Sequence, residues 1–480
     1  MTPFQVEVAI IGAGTAGMVA YRAARAHADS VLLIEGGAYG TTCARVGCMP
    51  SKLLIAAAES AHLARHAHAF GVNVQAVTVD GAAVMARVQR ERDRFVGAVL
   101  KAIDGIAPAD RLTATVKFKD ANTLVTEDGQ LIHAKRIVIA TGSVPVLPPV
   151  LKELGAHLLT NENIFELPTL PTSLAVFGPG VLGMELAQAM SRLGVQVKVF
   201  GVGGGIAGIQ DPAIREDANQ TFNKEFYLDA SAEVKSAKET ASGIEVTYLH
   251  RDGDWKTEAF DYVLAATGRT PAVADLDLEN TGLQLDERGV PDFDRSTLQC
   301  GDSTIFIAGD ASNDSPLLHE AADQGRIAGN NAGRFPDIEP GLRRTPLAVV
   351  FTDPQVASVG LNLKQLEQHH KNRFAVGVES FENQGRSRVM LRNQGTLKVY
   401  GEQGTGLFLG AEMFGPAAEH IGHLLAWAAQ QRMTVSSMLD MPFYHPVIEE
   451  GLRTALRDLN QKLNLGPQVV EDCMDCGPGT

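Results

Sequence analysis

The sequence predicts an α/β protein in which two similar strand–turn–helix units precede a further domain. The first observation is a buried strand that runs into a Gly-x-Gly-x-x-Gly turn and a helical pattern near the start of the chain. The second is the return of this arrangement at residues 174–185. The third is length, because 480 residues are too many for one ordinary hydrophobic core and indicate two to four domains.

The first unit contains every part of a dinucleotide-binding fingerprint. Its turn glycines are Gly12, Gly14 and Gly17, and its second strand ends at Glu35. The glycines permit a tight turn, the close approach of a pyrophosphate and close packing of helix on strand, and the free amides of the helix N-terminus attract the phosphates. Glu35 is placed to accept hydrogen bonds from ribose hydroxyls. The unit predicts a Rossmann-like domain, and the strand, helix and acid together disfavour a glycine turn without a ligand.

The second unit repeats the fingerprint without the acid. Its turn glycines are Gly178, Gly180 and Gly183. At the offset that separates Gly12 from Glu35, the second unit has Gly201, which begins an uncharged run over residues 201–205. A second Rossmann-like domain is therefore predicted, and a glutamate introduced at 201 is expected to supply the missing ribose contact.

Two cysteines separated by four residues follow the first unit closely. They are Cys43 and Cys48, two of five cysteines in the chain. Five are too few for a disulfide scaffold, which favours a reducing cytoplasm and a catalytic rather than a structural disulfide. A disulfide that opens and closes beside a bound redox cofactor implies electron transfer between that cofactor and a thiol.

Taken in this order, the motifs resemble the class I pyridine nucleotide–disulfide oxidoreductases, most closely the dihydrolipoamide dehydrogenases. The resemblance spans essentially the whole chain. It implies two Rossmann-like domains, for FAD and NAD, plus an α+β C-terminal dimerisation domain, and hence a homodimer. The implied boundaries are residues 1–148 and 271–343 for the FAD-binding domain, 149–270 for the NAD(P)-binding domain and 344–480 for the dimerisation domain with its Cys-x-x-Cys tail.

The resemblance also implies further cofactor contacts. Two Ala-Thr-Gly segments close the nucleotide domains and contain Thr141, Gly142 and Gly268. Asp310, at the end of a buried strand, is expected to bind the ribityl chain, Val116 to lie near the adenine, and His319 near the isoalloxazine. Gly183, where NADP-linked relatives often have alanine, favours NAD. The lack of arginine over residues 201–209 also favours NAD, because a 2′-phosphate would have no charged partner.

The same resemblance assigns roles along the electron path. Cys48 is expected to face the flavin as a thiolate, and Cys43 to exchange with substrate; a helix N-terminus and a nearby cation would lower a thiol pKa there. Lys52 and Glu185 match the Lys–Glu pair that relatives hold beside the flavin. Near the C-terminus, His445 matches the base and Glu450 its orienting carboxylate, with Val447 in place of the usual threonine. In relatives this pair reaches into the partner subunit's site.

Several function classes are excluded by bulk properties. The formal charge of −14 argues against nucleic acid and anionic membrane surfaces as partners. No apolar run is long enough to span a bilayer, and the strand that opens the chain leaves no room for a cleavable signal. His62, His66 and His68 are interpreted as a solvated helix face, so no metal site is predicted, and Cys300 is interpreted as an inert thiol.

The predicted function is electron exchange between NAD(H) and a small dithiol or disulfide through FAD, with lipoamide or a protein-bound lipoyl group as substrate. A terminal pair, Cys473 and Cys476, leaves a mercuric ion or protein-disulfide reductase as the alternative. That pair could equally be an incidental tail or an adventitious metal site. From another class, a non-catalytic flavin-bound redox sensor is supported by Gly201 alone.

Overall fold

A computed structural model describes residues 4–463 of the chain. The terminal cysteines Cys473 and Cys476 lie outside the described residues.

The described chain contains both helices and strands, and long runs of strands follow α4 and α6. The helices are α1 (Thr15–Arg25), α2 (Thr42–Val46), α3 (Cys48–His66), α4 (Gly81–Asp104), α5 (Val181–Arg192), α6 (Pro212–Phe222), α7 (Leu318–Arg334), α8 (Leu363–His369), α9 (Gly385–Val389), α10 (Ala418–Gln430), α11 (Val435–Leu439) and α12 (Glu450–Leu463). The strands are β1 (Phe4–Ile11), β2 (Val31–Glu35), β3 (Arg111–Thr113), β4 (Val116–Asp120), β5 (Thr123–Thr126), β6 (Leu131–Ile139), β7 (Ser143–Pro145), β8 (Leu158–Leu159), β9 (Ser173–Phe177), β10 (Gln196–Phe200), β11 (Tyr227–Asp229), β12 (Val234–Thr240), β13 (Gly243–Leu249), β14 (Trp255–Phe260), β15 (Tyr262–Ala265), β16 (Arg269–Pro271), β17 (Ile305–Ile307), β18 (Leu347–Val350), β19 (Gln355–Gly360), β20 (Phe374–Ser380), β21 (Thr396–Glu402) and β22 (Phe408–Gly415).

The first sheet combines two distant parts of the chain. Its order is β3-β2-β1-β6-β5-β4, and β17 pairs in parallel with β6. The inner strands β1 and β6 are apolar and buried along their C-terminal halves, because one face of the sheet is covered by helices and the other by apolar residues of the segment 273–300. Helices α1 and α7 pack against each other on one face, so the N-terminal turn and the segment after β17 meet at one edge.

The second nucleotide unit forms its own parallel sheet. The order is β11-β10-β9-β15-β8, and an antiparallel sheet β12-β13-β14 packs beside it around the buried Phe200 and Tyr248. The antiparallel pair β7–β16 joins the two connections between the first and second sheets. This ladder brings the two Ala-Thr-Gly segments together, because each segment leads directly into one of its strands.

The C-terminal domain is an antiparallel sheet covered by helices. The strand order is β18-β19-β22-β21-β20, and α10 and α12 pack on the sheet. The helical stripe of α12 is core, with each of its leucines at most 3% exposed, namely Leu452, Leu456, Leu459 and Leu463. The predicted class, two Rossmann-like domains and an α+β C-terminal domain, is confirmed. No helix within residues 4–463 is both long and apolar enough to cross a membrane.

Candidate functional site

The two glycine turns have the same geometry. Gly12 and Gly178 both have φ of +103°, a conformation that only glycine adopts readily. A Cβ on Gly17 would collide with the carbonyl oxygen of Gly12, and a Cβ on Gly183 with that of Gly178. The middle glycines, Gly14 and Gly180, face open space at the N-termini of α1 and α5. Each turn therefore leaves a helix N-terminus open for a pyrophosphate.

Glu35 is held at the tip of β2 by backbone amides. Its Oε2 accepts from Ala13 N at 2.7 Å and its Oε1 from Gly37 N at 2.8 Å. Each carboxylate oxygen has a second lone pair, so the carboxylate can still accept from a ribose diol. A Cβ on Gly36 would lie 2.8 Å from Thr115 Oγ1, so the chain entering Val116 passes close to the residue that follows Glu35.

Two buried polar atoms beside the first turn have no hydrogen-bond partner within the described chain. They are Thr141 Oγ1 and Gln324 Nε2. Gln324 accepts from Gly309 N, directly before Asp310, and Asp310 Oδ2 accepts from Ser143 Oγ at 2.7 Å. Buried polar groups are normally paired, so these atoms indicate a polar ligand. The residues present thus fit FAD.

A cavity of about 360 Å³ joins this cradle to the cysteines. Its lining includes, from the predicted site, Gly14, Cys43, Cys48, Lys52, Gly142, Glu185 and Asp310. His319 is exposed and does not line the cavity, whereas Leu318 and Ala321 of the same helix do. His445 is also outside the lining, and Gly268, with φ of +107°, lies in the turn before β16.

The cysteines lie on two successive helices. Cys43 is in α2, whose N-terminus is capped by Thr41 Oγ1 accepting from Ala44 N, and Cys48 is the first residue of α3. Both are free thiols, and Cys48 is the more exposed. The helix N-terminus and the Lys52 ammonium one turn further along favour a thiolate at Cys48.

The two thiols have opposite pKa shifts. The hydrogen bond from Cys43, with help from the charge of Lys52, lowers the pKa of Cys48 to about 7 against the opposing effect of burial. The same hydrogen bond and burial raise the pKa of Cys43 far above its usual range. Near neutral pH the reduced pair therefore holds a thiolate at Cys48 and a donating thiol at Cys43.

Lys52 and Glu185 form a short ion pair in the wall of the cavity. Lys52 Nζ lies 2.6 Å from Glu185 Oε2, and the Glu185 side chain is 2% exposed. Glu185 Oε1 accepts from Phe351 N at 2.9 Å, and the Lys52 ammonium lies 4.6 Å from the centroid of the Phe351 ring. The pair is thus fixed by contacts from three different parts of the chain.

His445 is oriented by Glu450 on the surface of the C-terminal domain. His445 Nδ1 lies 3.0 Å from Glu450 Oε1, and the Glu450 carboxylate also accepts from Val447 N at 3.1 Å. The Glu450 side chain is 2% exposed and that of His445 is 60% exposed. The imidazole is therefore held by one nitrogen and presents the other outward.

Three further residues of the cavity were missed by sequence reasoning. Arg269 donates to Ser143 Oγ and to Asn161 Oδ1, each at 2.8 Å, and all three side chains line the cavity. Arg269 directly follows the second Ala-Thr-Gly segment, a position that could have identified it. Asn161 has no such signal.

The second turn differs from the first at Gly201. A Cβ on Gly201 would lie 2.6 Å from Pro179 Cγ and 2.8 Å from Ala230 O. Pro179 thus occupies the space into which a side chain at 201 would project. The expectation that a glutamate at 201 would simply supply a ribose contact is wrong, because the backbone around it leaves no room for the first side-chain carbon.

Cys300 and the histidines of the predicted solvated helix face, His62, His66 and His68, do not line the cavity. Burial raises the pKa of the Cys300 thiol to about 12, as befits an unreactive cysteine. Across residues 4–463, no three histidine, cysteine, aspartate or glutamate side chains are grouped so that they could hold a metal ion.

Comparison with known proteins gives matches along nearly the whole chain. Residues 6–325 match the model of the pyridine nucleotide-disulphide oxidoreductases, and residues 347–456 match that family's dimerisation domain. A mercuric reductase of Shigella flexneri is 32% identical over 472 residues, covering 95% of this chain and 81% of the relative. A dihydrolipoyl dehydrogenase of Geobacillus stearothermophilus is 30% identical over 455 residues, covering 93% and 94%.

Solved structures show the same fold. LpdA from Mycobacterium tuberculosis superposes with a TM-score of 0.80 at 25% identity, covering 94% of this chain and 99% of that one. The HOCl-induced flavoprotein disulfide reductase RclA from Escherichia coli gives 0.78 at 23% identity, covering 95% and 99%.

Proposed function

The chain belongs to the pyridine nucleotide-disulphide oxidoreductases, a family that uses FAD and NAD(P), and we propose that it exchanges electrons between NAD(H) and a dithiol through Cys43 and Cys48. The observation that carries this proposal is one cavity that is lined by Gly14 of the first glycine turn, by Asp310 and by both cysteines. We assign residues 1–148 and 271–343 to FAD, 149–270 to the nicotinamide nucleotide and 344–480 to dimerisation.

Bound FAD would supply a two-electron carrier between the nicotinamide and the cysteine disulfide. The turn glycines Gly12, Gly14 and Gly17 would hold its pyrophosphate, Glu35 its adenosine ribose, and Thr141 and Asp310 its central part. Lys52 and Glu185 are proposed to lie beside its ring, where the Glu185 carboxylate holds the Lys52 ammonium in place near Cys48.

Thiol exchange would then proceed in two attacks. Cys43 Sγ, after losing its proton, attacks one sulfur of a substrate disulfide, forms a mixed disulfide and releases the first substrate thiolate. Cys48 Sγ next attacks Cys43 Sγ, closes the internal disulfide and releases the second thiolate. His445 is proposed to accept the proton of Cys43 and return it to a leaving thiolate, while Glu450 fixes the imidazole tautomer. Lipoamide reduction or its reverse, dihydrolipoamide oxidation, uses the same steps.

A homodimer is proposed to complete this site. His445 is outside the cavity of its own chain, yet its free ring edge is exposed on a domain that matches the family's dimerisation domain. A second copy could bring its own histidine to Cys43. The low number of cysteines supports a cytoplasmic location for such thiol chemistry.

Lipoamide or a protein-bound lipoyl group is the proposed substrate, with NAD as the nucleotide. A mercuric ion or protein disulfide is the second candidate, supported by Cys473 and Cys476 and by the 32% identity with a mercuric reductase. A non-catalytic redox sensor is disfavoured, because both cysteines, Lys52, Glu185 and His445 are present.

One set of assays separates these functions. Purified protein should be supplied with NADH or NADPH and then with lipoamide, glutathione disulfide, mercuric ion or oxidised thioredoxin. The proposal expects the highest turnover with NADH and lipoamide. Preferential turnover of mercuric ion that disappears on truncation after Pro467 would favour the second candidate instead.

A further inference from the structure

A chain of hydrogen bonds joins the segment between the two cysteines to Asp310. The carbonyl of Val46, at the end of α2, accepts from Asn161 Nδ2 at 3.0 Å. Asn161 Oδ1 accepts from Arg269 Nη1 at 2.8 Å. Arg269 Nε donates to Ser143 Oγ at 2.8 Å, and Ser143 Oγ donates to Asp310 Oδ2 at 2.7 Å. The redox segment is therefore tied to the proposed flavin cradle through a side-chain amide.

Asn161 is held from both ends of its amide. The residue is 6% exposed, and its partners Val46 and Arg269 are 115 and 108 positions away in the chain. A helix leaves its last four carbonyls without intrahelical partners. Helix α2 has five residues, so the Val46 carbonyl needs a donor from elsewhere, and Asn161 supplies it. A buried amide paired on both sides fixes the positions of both partners.

The position of α2 determines the environment of Cys48. Cys43 is on α2, and only Gly47 lies between α2 and Cys48, the first residue of α3. A Cβ on Gly47 would lie 3.2 Å from Cys43 Cα, so the start of α3 packs against Cys43, whose thiol favours the Cys48 thiolate. The other charged groups facing Cys48 are Lys52 of α3 and Glu185 of α5, and Arg269 and Asp310 line the same cavity.

We propose that Asn161 is a positioning residue that holds α2 against Arg269 and thereby keeps the Cys43 thiol in hydrogen-bonding contact with Cys48. The proposal rests on the proposed thiol exchange. Without the amide, the C-terminal end of α2 loses its tie to Arg269, although α2 still packs on α3 and α4. The contact between the thiols then lengthens, and Cys48 holds less thiolate at a given pH.

The test compares Asn161→Ala with a matched control, Asn163→Ala. Asn163 is in the same turn, but its side chain pairs within that turn, with Thr160 N and Leu158 O. The measurement is the pH midpoint of the long-wavelength absorbance that a Cys48 thiolate gives beside oxidised flavin, in the FAD-loaded full chain reduced by two electrons. We expect Asn161→Ala to raise the midpoint by about one unit, a common size for an environmental shift, and Asn163→Ala to leave it in place.

An unchanged midpoint in Asn161→Ala overturns the proposal, even if the variant melts at a lower temperature. If Asn161→Ala does not fold, Asn161→Ser replaces it in the same test, because a serine hydroxyl cannot reach both Val46 O and Arg269 Nη1. The rate at which Cys48 is alkylated can also be measured as a function of pH, with the modified peptide identified by mass spectrometry. This rate reports the ionisation of the Cys48 thiol without requiring turnover. A shifted alkylation profile in a protein that reduces no disulfide would refute the proposed function alone. Normal lipoamide turnover with an unshifted profile would refute the positioning role alone.

Discussion

Lys52 Nζ lies 2.6 Å from Glu185 Oε2, and this one contact joins three parts of the chain. Lys52 is on α3, Glu185 is on α5, and the second oxygen of Glu185 accepts from Phe351 N at the start of the C-terminal domain. Because the Glu185 side chain is 2% exposed, its charge depends on Lys52 for compensation.

Lys52→Met should destabilise the protein and raise the pKa of Cys48. The substitution leaves Glu185 as a buried carboxylate without its cation, which costs about 3 kcal/mol, the lower end for breaking a buried pair, because Lys52 itself is 32% exposed. It also removes a charge that lowers the pKa of Cys48. The measurements are the thermal unfolding midpoint and the pH midpoint of the thiolate absorbance.

The double variant Lys52→Met with Glu185→Gln is the control for this prediction. A neutral amide at 185 can keep the hydrogen bond from Phe351 N and needs no counter-charge. Stability should therefore return in the double variant. The pKa of Cys48 should stay raised, but by less than in Lys52→Met, because the Glu185 charge that also raises this pKa is gone. Equal instability of the single and double variants would contradict the pairing argument.

The thiolate of Cys48 should titrate near pH 7. A free thiol has a pKa of about 8.5, whereas the hydrogen bond from Cys43 and the Lys52 charge lower that of Cys48 to about 7. Since the pKa is lowered, the thiolate persists below pH 8 and is lost as the pH falls through 7. The long-wavelength absorbance of the two-electron-reduced protein should follow this curve.

Two cysteine variants check that assignment. Cys48→Ser should abolish the band. Cys43→Ala should retain it but move its midpoint upward, because the largest influence on Cys48 is then missing. A band that survives unchanged in Cys48→Ser would place the thiolate on another residue.

The features that sequence predicted are those set by local backbone rules. The positive φ of Gly12 and Gly178 follows from a turn that only glycine enters readily, so both units were visible in the sequence. The fold class followed from these units and from the resemblance they carry. Lys52 and Glu185, 133 positions apart, were paired through that resemblance and not through any local pattern.

The features that sequence did not predict are contacts between distant side chains. Asn161 bonds to Val46 across 115 positions, and no propensity or spacing marks it. The same applies to Pro179 and Gly201, whose fit depends on how β10 and the glycine turn pack in space. Such contacts are set by tertiary packing, which single-residue preferences do not encode.

His445→Gln should slow dithiol turnover far more than flavin reduction by NADH. A general base contributes about 10²–10⁴-fold, and His445, the proposed base, is held by Glu450 at 3.0 Å. The nicotinamide half-reaction does not use this group. Stopped-flow measurement of the two half-reactions separates the effects.

Heterodimers test where His445 acts. Mixing Cys43→Ser chains with His445→Gln chains should restore partial activity, because one of the two mixed sites then has both an intact cysteine pair and an intact base. Verified heterodimers without any recovery would show that each site is built from one chain.

Gly201→Ala should weaken NADH binding, and Gly201→Glu should not tighten it. A Cβ at 201 would lie 2.6 Å from Pro179 Cγ and 2.8 Å from Ala230 O, so either side chain must displace the turn that is proposed to hold the nucleotide pyrophosphate. We expect the Kd for NADH to rise about tenfold, equivalent to about 1.4 kcal/mol. Gly205→Ala is the matched control, since a Cβ there meets open space within 4 Å.

Pro179→Gly should partly rescue Gly201→Glu. It removes the ring carbons that the new Cβ meets, whereas the contact with the Ala230 carbonyl remains. The double variant should therefore bind NADH more tightly than Gly201→Glu alone, because the carboxylate can then approach the ribose diol, the role proposed for Glu35 in the first unit. Titration of NADH by calorimetry gives each Kd. Tighter binding by Gly201→Glu alone, without Pro179→Gly, would show that the turn accommodates a side chain at 201 and that the proline does not set nucleotide affinity.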